Sequence, residues 1–151
     1  AGVYLDTDGD LAEVSLALLD LDGAFYGPER KIRSPQEFLI AMGRGLGLSK
    51  VDRKAVSALT ALRHIPWSPP SPAGYSDEVA DWGDPDGLLR RADLARMVTK
   101  RARARLTDVG AFAQDVIEVR DPALLNALLA EQSSAADQAT LVFASPDFQW
   151  R

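Results

Sequence analysis

The chain contains no cysteine and only one histidine, His64, among its 151 residues. The lack of cysteine excludes disulfides, thiolate nucleophiles and cysteine-based metal sites. A zinc site would have too few imidazole and thiolate ligands to choose from, so we predict no metal and no cofactor. No apolar run approaches the roughly 20 residues that span a bilayer, and we therefore predict no transmembrane segment.

The rest of the composition is typical of a folded domain. Hydrophobic residues make up 46% of the chain and charged residues 26%, with a net charge of −5. This balance argues against general disorder, and its acidic sign disfavours nucleic acid as a partner. From the length we predict a single helical domain over residues 1–151.

Four predicted helix starts are marked by a serine or aspartate directly before a proline. The serine or aspartate side chain can accept a hydrogen bond from a free N–H of the first turn, and proline suits the first helical position. At Ser34-Pro35 the sequence continues to Glu37, which completes a capping box. The other three pairs are Asp84-Pro85, Asp121-Pro122 and Ser145-Pro146.

Apolar periodicity between these signals predicts an all-α fold, an irregular multi-helix bundle of about seven helices with one long loop rich in proline and aromatic residues. No segment alternates β-branched and polar residues over a useful length, so we predict no strand. Residues 1–5 are interpreted as the end of a further helix. The predicted helices cover 10–20, 35–44, 50–62 (starting at Ser49 and presenting Val51), 85–105, 109–118, 122–131 and 135–144, with a last turn from Pro146.

The helix predicted over 85–105 carries seven of the 17 basic residues of the chain. Its apolar stripe consists of Leu88, Ala92, Ala95, Ala102 and Leu106. Two interpretations stay open: a solvated amphipathic helix whose arginines pair with nearby acids, or a surface for an acidic polymer such as an anionic polysaccharide. The basic residues are Arg90, Arg91, Arg96, Lys100, Arg101, Arg103 and Arg105.

The segment 63–83 departs from the helical pattern. It holds four of the nine prolines, two of the three tryptophans and the only histidine. Loops longer than about 12–15 residues are uncommon inside a compact domain and are usually functional or disordered. Because so many residues here are aromatic, we predict an ordered, irregular loop with Trp67 and Trp82 packed against the helices.

Several short motifs around this loop occur together in a known family. They are Pro69-Pro70-Ser71-Pro72-Ala73-Gly74-Tyr75, Trp82-Gly83-Asp84-Pro85 and Leu88-Leu89-Arg90-Arg91, with Asp8-Gly9-Asp10-Leu11, Arg33-Ser34-Pro35, Glu37, Arg44 and the ending Ala144-Ser145-Pro146-Asp147-Phe148-Gln149 with Arg151. Taken in chain order, they resemble the C-terminal part of the bacterial family called domain of unknown function 1800. The sequence departs from the family pattern at Tyr75, where the family usually has tryptophan, at Ser71-Pro72, where it often has asparagine and valine, and at Asp84, where it has asparagine.

The resemblance implies a longer protein and no known activity. It suggests an exported protein, periplasmic or extracellular, and it implies the N-terminal half of the full-length chain as a partner. The start at Ala1, which is not a methionine, fits the expectation that a segment precedes the chain. Since no activity is established for the family, the function stays open.

Two motifs that invite a ligand interpretation are better explained as helix ends. The run Asp6-Thr7-Asp8-Gly9-Asp10 fails as a calcium loop because Leu11 and Ala17 stand where glycine and glutamate are required, and we interpret it as a helix cap. The run Gly43-Arg44-Gly45-Leu46-Gly47 follows a helix, whereas a dinucleotide-binding loop follows a strand, so we interpret it as a helix C-cap.

Two hypotheses for function remain. The first is a non-catalytic helical scaffold or interaction module of an exported protein. The second is part of an enzyme or carbohydrate-handling protein with a pocket at loop 63–83, completed by the missing N-terminal half. Structural roles are predicted for Glu37 and Arg44. The candidate pocket residues or loop anchors are His64, Trp67, Pro70, Gly74, Tyr75, Trp82 and Arg91.

Overall fold

The computed structural model describes residues 1–22, 31–48, 50, 53–103 and 106–151. Within these ranges the chain forms ten α-helices and no strand, and 64% of the described residues are helical, which confirms the all-α class. Predicted features at Ser49, Val51 and Arg105 lie outside the described residues. The helices are α1 (Gly2–Asp6), α2 (Leu11–Leu19), α3 (Pro35–Gly45), α4 (Arg53–Ala61), α5 (Val79–Trp82), α6 (Pro85–Ala102), α7 (Val109–Val116), α8 (Pro122–Ala130), α9 (Ala135–Ala144) and α10 (Pro146–Gln149).

The helix count exceeds the predicted number of about seven because several helices are very short. α1, α5 and α10 have only four or five residues each. A single helical turn has no apolar period, so periodicity cannot reveal it. The prediction of an irregular loop over 63–83 was therefore wrong at its end, where α5 forms.

All four predicted Ser/Asp-Pro caps are present. The side chains of Asp84 and Asp121 accept hydrogen bonds from the N–H groups of Gly87 (3.0 Å) and Leu124 (2.9 Å). Ser145 caps α10 in the same way. Ser34 and Glu37 form the complete capping box at the start of α3. These contacts join residues only three positions apart, which is why the sequence predicted them.

The described chain divides into two compact units, Ala1–Arg30 and Lys31–Arg151. In the first unit Asp10 caps α2 through the N–H groups of Ala12 (2.8 Å) and Glu13 (3.3 Å), as the cap interpretation of the acidic run requires. None of the described residues of this unit is buried. Its large apolar side chains are therefore left exposed, and they include Val3, Tyr4, Leu5, Leu11, Leu16, Leu18, Leu19 and Leu21.

The second unit is built around the packing of α6 against α9. A cluster of aromatic rings fills the centre: Phe148 meets Phe143 at 4.8 Å and Phe38 at 5.5 Å between ring centroids, both edge to face. Such contacts add to the free energy gained by burying the rings. Leu94, Ala95, Ala139 and Val142 surround this cluster.

The buried face of α6 differs from the predicted stripe. Ala95, Ala102 and Leu106 are buried as predicted, but Leu88 is exposed and Ala92 is only half-buried. Arg91 and Thr99 are buried in their place because each finds a polar partner: Thr99 Oγ1 lies 2.7 Å from Thr140 Oγ1 on α9. A helix can turn a polar residue inward when its hydrogen bonds are satisfied there.

The start and end of the second unit are tied together by main-chain hydrogen bonds. The Lys31 N–H donates to the Arg151 carbonyl (2.9 Å), and the Arg33 N–H donates to the Gln149 carbonyl (2.8 Å). Ile32 and Trp150 form an isolated antiparallel bridge. This pairing, which the sequence did not reveal, brings Gln149 to the buried side of α6.

Candidate functional site

The segment before α5 is held in shape by one tyrosine. The hydroxyl of Tyr75 donates to the carbonyl of Ile65 and accepts from the N–H of Ser68 (3.1 Å). Gly74, at φ +98, turns the chain back so that its N–H reaches the Ser71 carbonyl (3.0 Å). Pro70 is exposed beside this turn. Of the candidate residues, Tyr75 and Gly74 therefore have clear structural roles.

His64 lies under this segment and is 3% exposed. Its ring stacks on Tyr75 at 4.0 Å between centroids with 20° between the planes, and Trp82 lies 5.8 Å away. His64 Nε2 is 3.2 Å from Gln36 Oε1, whereas Nδ1 is buried without a hydrogen-bond partner in the part of the chain that the structure describes. The structure thus brings three of the candidate residues together as a packed cluster, and no carboxylate among the described residues contacts the imidazole.

The two tryptophans of the segment 63–83 differ in their exposure to solvent. Trp82 is buried, and its indole N–H donates to the Ser76 carbonyl at 2.7 Å, which confirms the predicted packing. Trp67 is 99% exposed, so the prediction that it packs against the helices was wrong. The prediction fails because Tyr75 and Trp82 already cover His64 and because the backbone of Trp67 adopts φ +63.

Arg91 is buried on α6, with 1% of its surface exposed. Its Nη1 donates to Gln149 Oε1 at 2.9 Å, and its guanidinium carbon lies 5.3 Å from the centroid of Phe38. Nη2 is buried without a hydrogen-bond partner among the described residues. Burial lowers the pKa of Arg91 to about 10, against an opposing effect of Asp84. Arg91 was predicted to be a pocket residue or loop anchor, but its hydrogen-bond partner comes from the C-terminal end.

The residues predicted to be structural lie on α3. The Glu37 carboxylate accepts from the Ser34 N–H at 2.9 Å and pairs with Arg151 at 2.6 Å, so it joins the helix start to the C-terminus. Arg44 is exposed in the last turn, where a cation is favoured by the helix dipole. It lines a shallow concavity of about 390 Å³ with Phe112 and Asp115.

One half-buried arginine, Arg33, was not among the predicted site residues. Arg33 donates to the carbonyl of Phe148 and lies 4.7 Å over its ring, and burial lowers its pKa. Its only signal was its place directly before the Ser34-Pro35 cap.

A groove of about 590 Å³ between α4 and α6 was also missed. Its apolar floor includes Leu62, Leu94 and Met97, and its rim carries Lys54, Arg90, Arg101 and the single acid Asp93. On α6 the lining residues recur at positions 90, 94, 97 and 101, the spacing of one helix face. The basic cluster therefore divides: Arg90 and Arg101 face the groove, Arg91 is in the core, and Arg96, Lys100 and Arg103 are exposed elsewhere.

The described residues contain no group of three or more histidine, aspartate or glutamate side chains placed to hold a metal ion. No helix in the described ranges combines the length and the apolar character needed to cross a membrane.

The burial of His64 predicts a dependence of stability on pH. Burial lowers the pKa of His64 below its ordinary value of 6.5. Below that value the unfolded chain binds more protons than the folded one, so the free energy of unfolding decreases as the pH falls. We expect chemical denaturation between about pH 7.5 and 5.5 to show this loss, because ordinary carboxyl groups stay ionised there.

Replacement His64→Gln provides the control, since His64 is the only histidine. The variant should lose most of the pH dependence in that range. A proton NMR titration of the single imidazole that gave a pKa at or above 6.5 would contradict the prediction.

The fold and these sites define an all-α protein with a packed aromatic cluster and a basic groove. The family model described as "Protein of unknown function (DUF1800)" matches residues 1–150. The chain therefore belongs to this family, as the motifs around the loop suggested. No curated protein and no solved structure matches the chain.

Proposed function

We propose that the chain is a non-catalytic helical interaction module that contacts a protein partner through Trp67. The observation that carries the proposal is the complete exposure of this ring, at 99%. Burying a tryptophan removes about 150–250 Å² from water. At about 25 cal/mol per Å², burial of this ring by a partner contributes roughly 4–6 kcal/mol to binding, a stabilisation that the isolated chain lacks.

The exposed ring sits on a segment with fixed geometry. Trp67 has φ +63, a conformation that costs a bulky residue about 1–3 kcal/mol. The hydrogen bonds of Tyr75 to residues 65 and 68 enclose Trp67 and hold the strained backbone on both sides. A rigid, exposed tryptophan loses little conformational entropy on binding, and tryptophan is enriched among the residues that dominate protein interfaces.

The environment of His64 favours this proposal over an enzyme with its pocket at the loop. Its ring is covered by Tyr75 and Trp82, and its one hydrogen-bond partner among the described residues is the amide of Gln36. A general base must reach the proton that it removes, and a catalytic histidine is usually oriented by an acid. The described residues meet neither condition at this imidazole.

Carbohydrate handling is the second candidate, because a free indole face can also stack on a sugar ring. The described residues of unit Ala1–Arg30 offer a further apolar surface, and none of them is buried. We propose that the N-terminal half of a full-length family member, which the resemblance implies, is one partner of that surface.

The test is site-specific photo-crosslinking in the organism that encodes the chain. A photoreactive phenylalanine analogue at position 67 replaces one aromatic ring with another, and the matched control is the same analogue at the exposed position Gln114 on α7. We expect a protein adduct at 67 and none at 114. The identified partner, once purified, should bind Trp67→Ala at least about 30-fold more weakly and Trp67→Phe nearly normally.

Two results would overturn the proposal. One is partner binding that does not change in Trp67→Ala. The other is the absence of a protein adduct together with Trp67-dependent binding to insoluble polysaccharide, which would establish the carbohydrate alternative.

A further inference from the structure

Helix α8 presents an acidic, leucine-bearing stripe to solvent. Leu124 and Leu128 are 56% and 38% exposed, although leucine is normally buried. Asp121 precedes the helix and Glu131 follows it, and both are exposed. At spacings of three, four and three residues, these four side chains share one face of the helix. The stripe thus reads acid, leucine, leucine, acid.

The groove between α4 and α6 has the complementary pattern. Along α6 its lining includes Arg90, Leu94, Met97 and Arg101, so that two cations flank two apolar side chains, and Asp93 also lines the groove. Arg90 and Arg101 are eleven positions apart, about 16 Å along a helix, and Asp121 and Glu131 are ten positions apart, about 15 Å. The two patterns therefore agree in order and in length, and the charges at their ends are opposite.

We propose that the groove binds α8 of a second copy of this chain. α8 packs on α9 and contributes no residue to the lining of its own groove, so the occupant is another molecule. Burial of Leu124 and Leu128 on the apolar floor supplies the attraction, and the charges at the two ends set the register. This contact does not involve Trp67 and is independent of the function proposed above.

The direction of the docked helix follows from which charged side chains already have a partner within one copy of the chain. Arg90 is held by Asp86 at 2.8 Å, and Asp121 caps α8 through the Leu124 N–H. Arg101 and Glu131 form no ion pair with any other described residue. We therefore assign Arg101 of one copy to Glu131 of the other, with α6 and α8 running in the same direction.

The experiment is sedimentation equilibrium of the full chain over a wide concentration range at low salt. We expect reversible self-association that weakens as salt is added. Arg101→Glu and Glu131→Arg should each raise the dissociation constant by about 10-fold or more, because each places like charges together. The double variant Arg101→Glu with Glu131→Arg should recover most of the affinity, since the pair is restored in reverse.

The matched control is Arg96→Glu, which reverses an exposed cation on α6 outside the groove. It should associate like the parent chain. A chain that stays monomeric at every concentration overturns the proposal. So does association that Arg96→Glu weakens as much as Arg101→Glu, or that the double variant fails to recover. Circular dichroism of each variant establishes that these exposed substitutions leave the helices intact.

Discussion

Replacing Trp82 with alanine is expected to lower the free energy of unfolding by about 3–5 kcal/mol, the range for large aromatic side chains in cores. Trp82 ends α5, lies against His64 and donates its indole N–H to Ser76. The substitution removes this anchor from the entry to α6 and leaves the Ser76 carbonyl without its partner. A loss of this size is a large part of the roughly 5–15 kcal/mol that stabilises a typical domain.

The chain offers its own control for this experiment. Trp67→Ala removes the same side chain from a fully exposed position on the same segment, so urea denaturation should show a change below about 0.5 kcal/mol. Equal losses for the two variants would mean that Trp82 contributes no more than an exposed ring, which would contradict the anchor role.

The second large effect is expected at Arg91. Arg91→Ala leaves a cavity on α6 and removes the partner of Gln149 Oε1, and we expect a loss of about 2–5 kcal/mol. With a pKa of about 10, Arg91 is charged at neutral pH, yet among the described residues no carboxylate pairs with it and Nη2 has no partner. Much of the stabilisation therefore comes from packing against Phe38.

The packing of Arg91 against Phe38 predicts a difference between two substitutions. Arg91→Met keeps an unbranched apolar chain next to Phe38 and removes the buried charge, so it should retain more stability than Arg91→Ala. The measurement is thermal and urea unfolding of both variants against the parent chain. If Arg91→Ala and Trp82→Ala both kept the parent melting temperature but lost a ligand or partner, the structural roles assigned to Arg91 and Trp82 would be wrong. The two residues would then be assigned to binding.

Local signals in the sequence predicted the helices well because they depend on neighbouring residues. A cap joins positions three apart, and an apolar period extends over a few turns, so neither requires knowledge of the fold. The helix predicted over 135–144 has the bounds observed for α9. The same reasoning missed α5, which at four residues is too short to carry a period.

The candidate site depends on features that local sequence signals do not carry. The composition of the loop indicated an ordered segment with a candidate site, but composition could not distinguish the buried Trp82 from the exposed Trp67. Which ring is buried depends on the space that Tyr75 and His64 leave, and that space is set by contacts between positions far apart in the chain. The basic residues of α6 were likewise divided among core, groove and solvent only by the packing of α4 and α9.

The sequence by itself determined the all-α class, the capped helix starts, the absence of cysteine chemistry and the family. Each of these follows from residue types or from short spacings. Only the tertiary structure decided that Arg91 pairs with Gln149 and that Trp67 is exposed. It also decided that α4 and α6 form a basic groove whose charge is complementary to the acidic stripe of α8. These features depend on which helix faces meet, and burial free energy selects those faces over the whole unit at once.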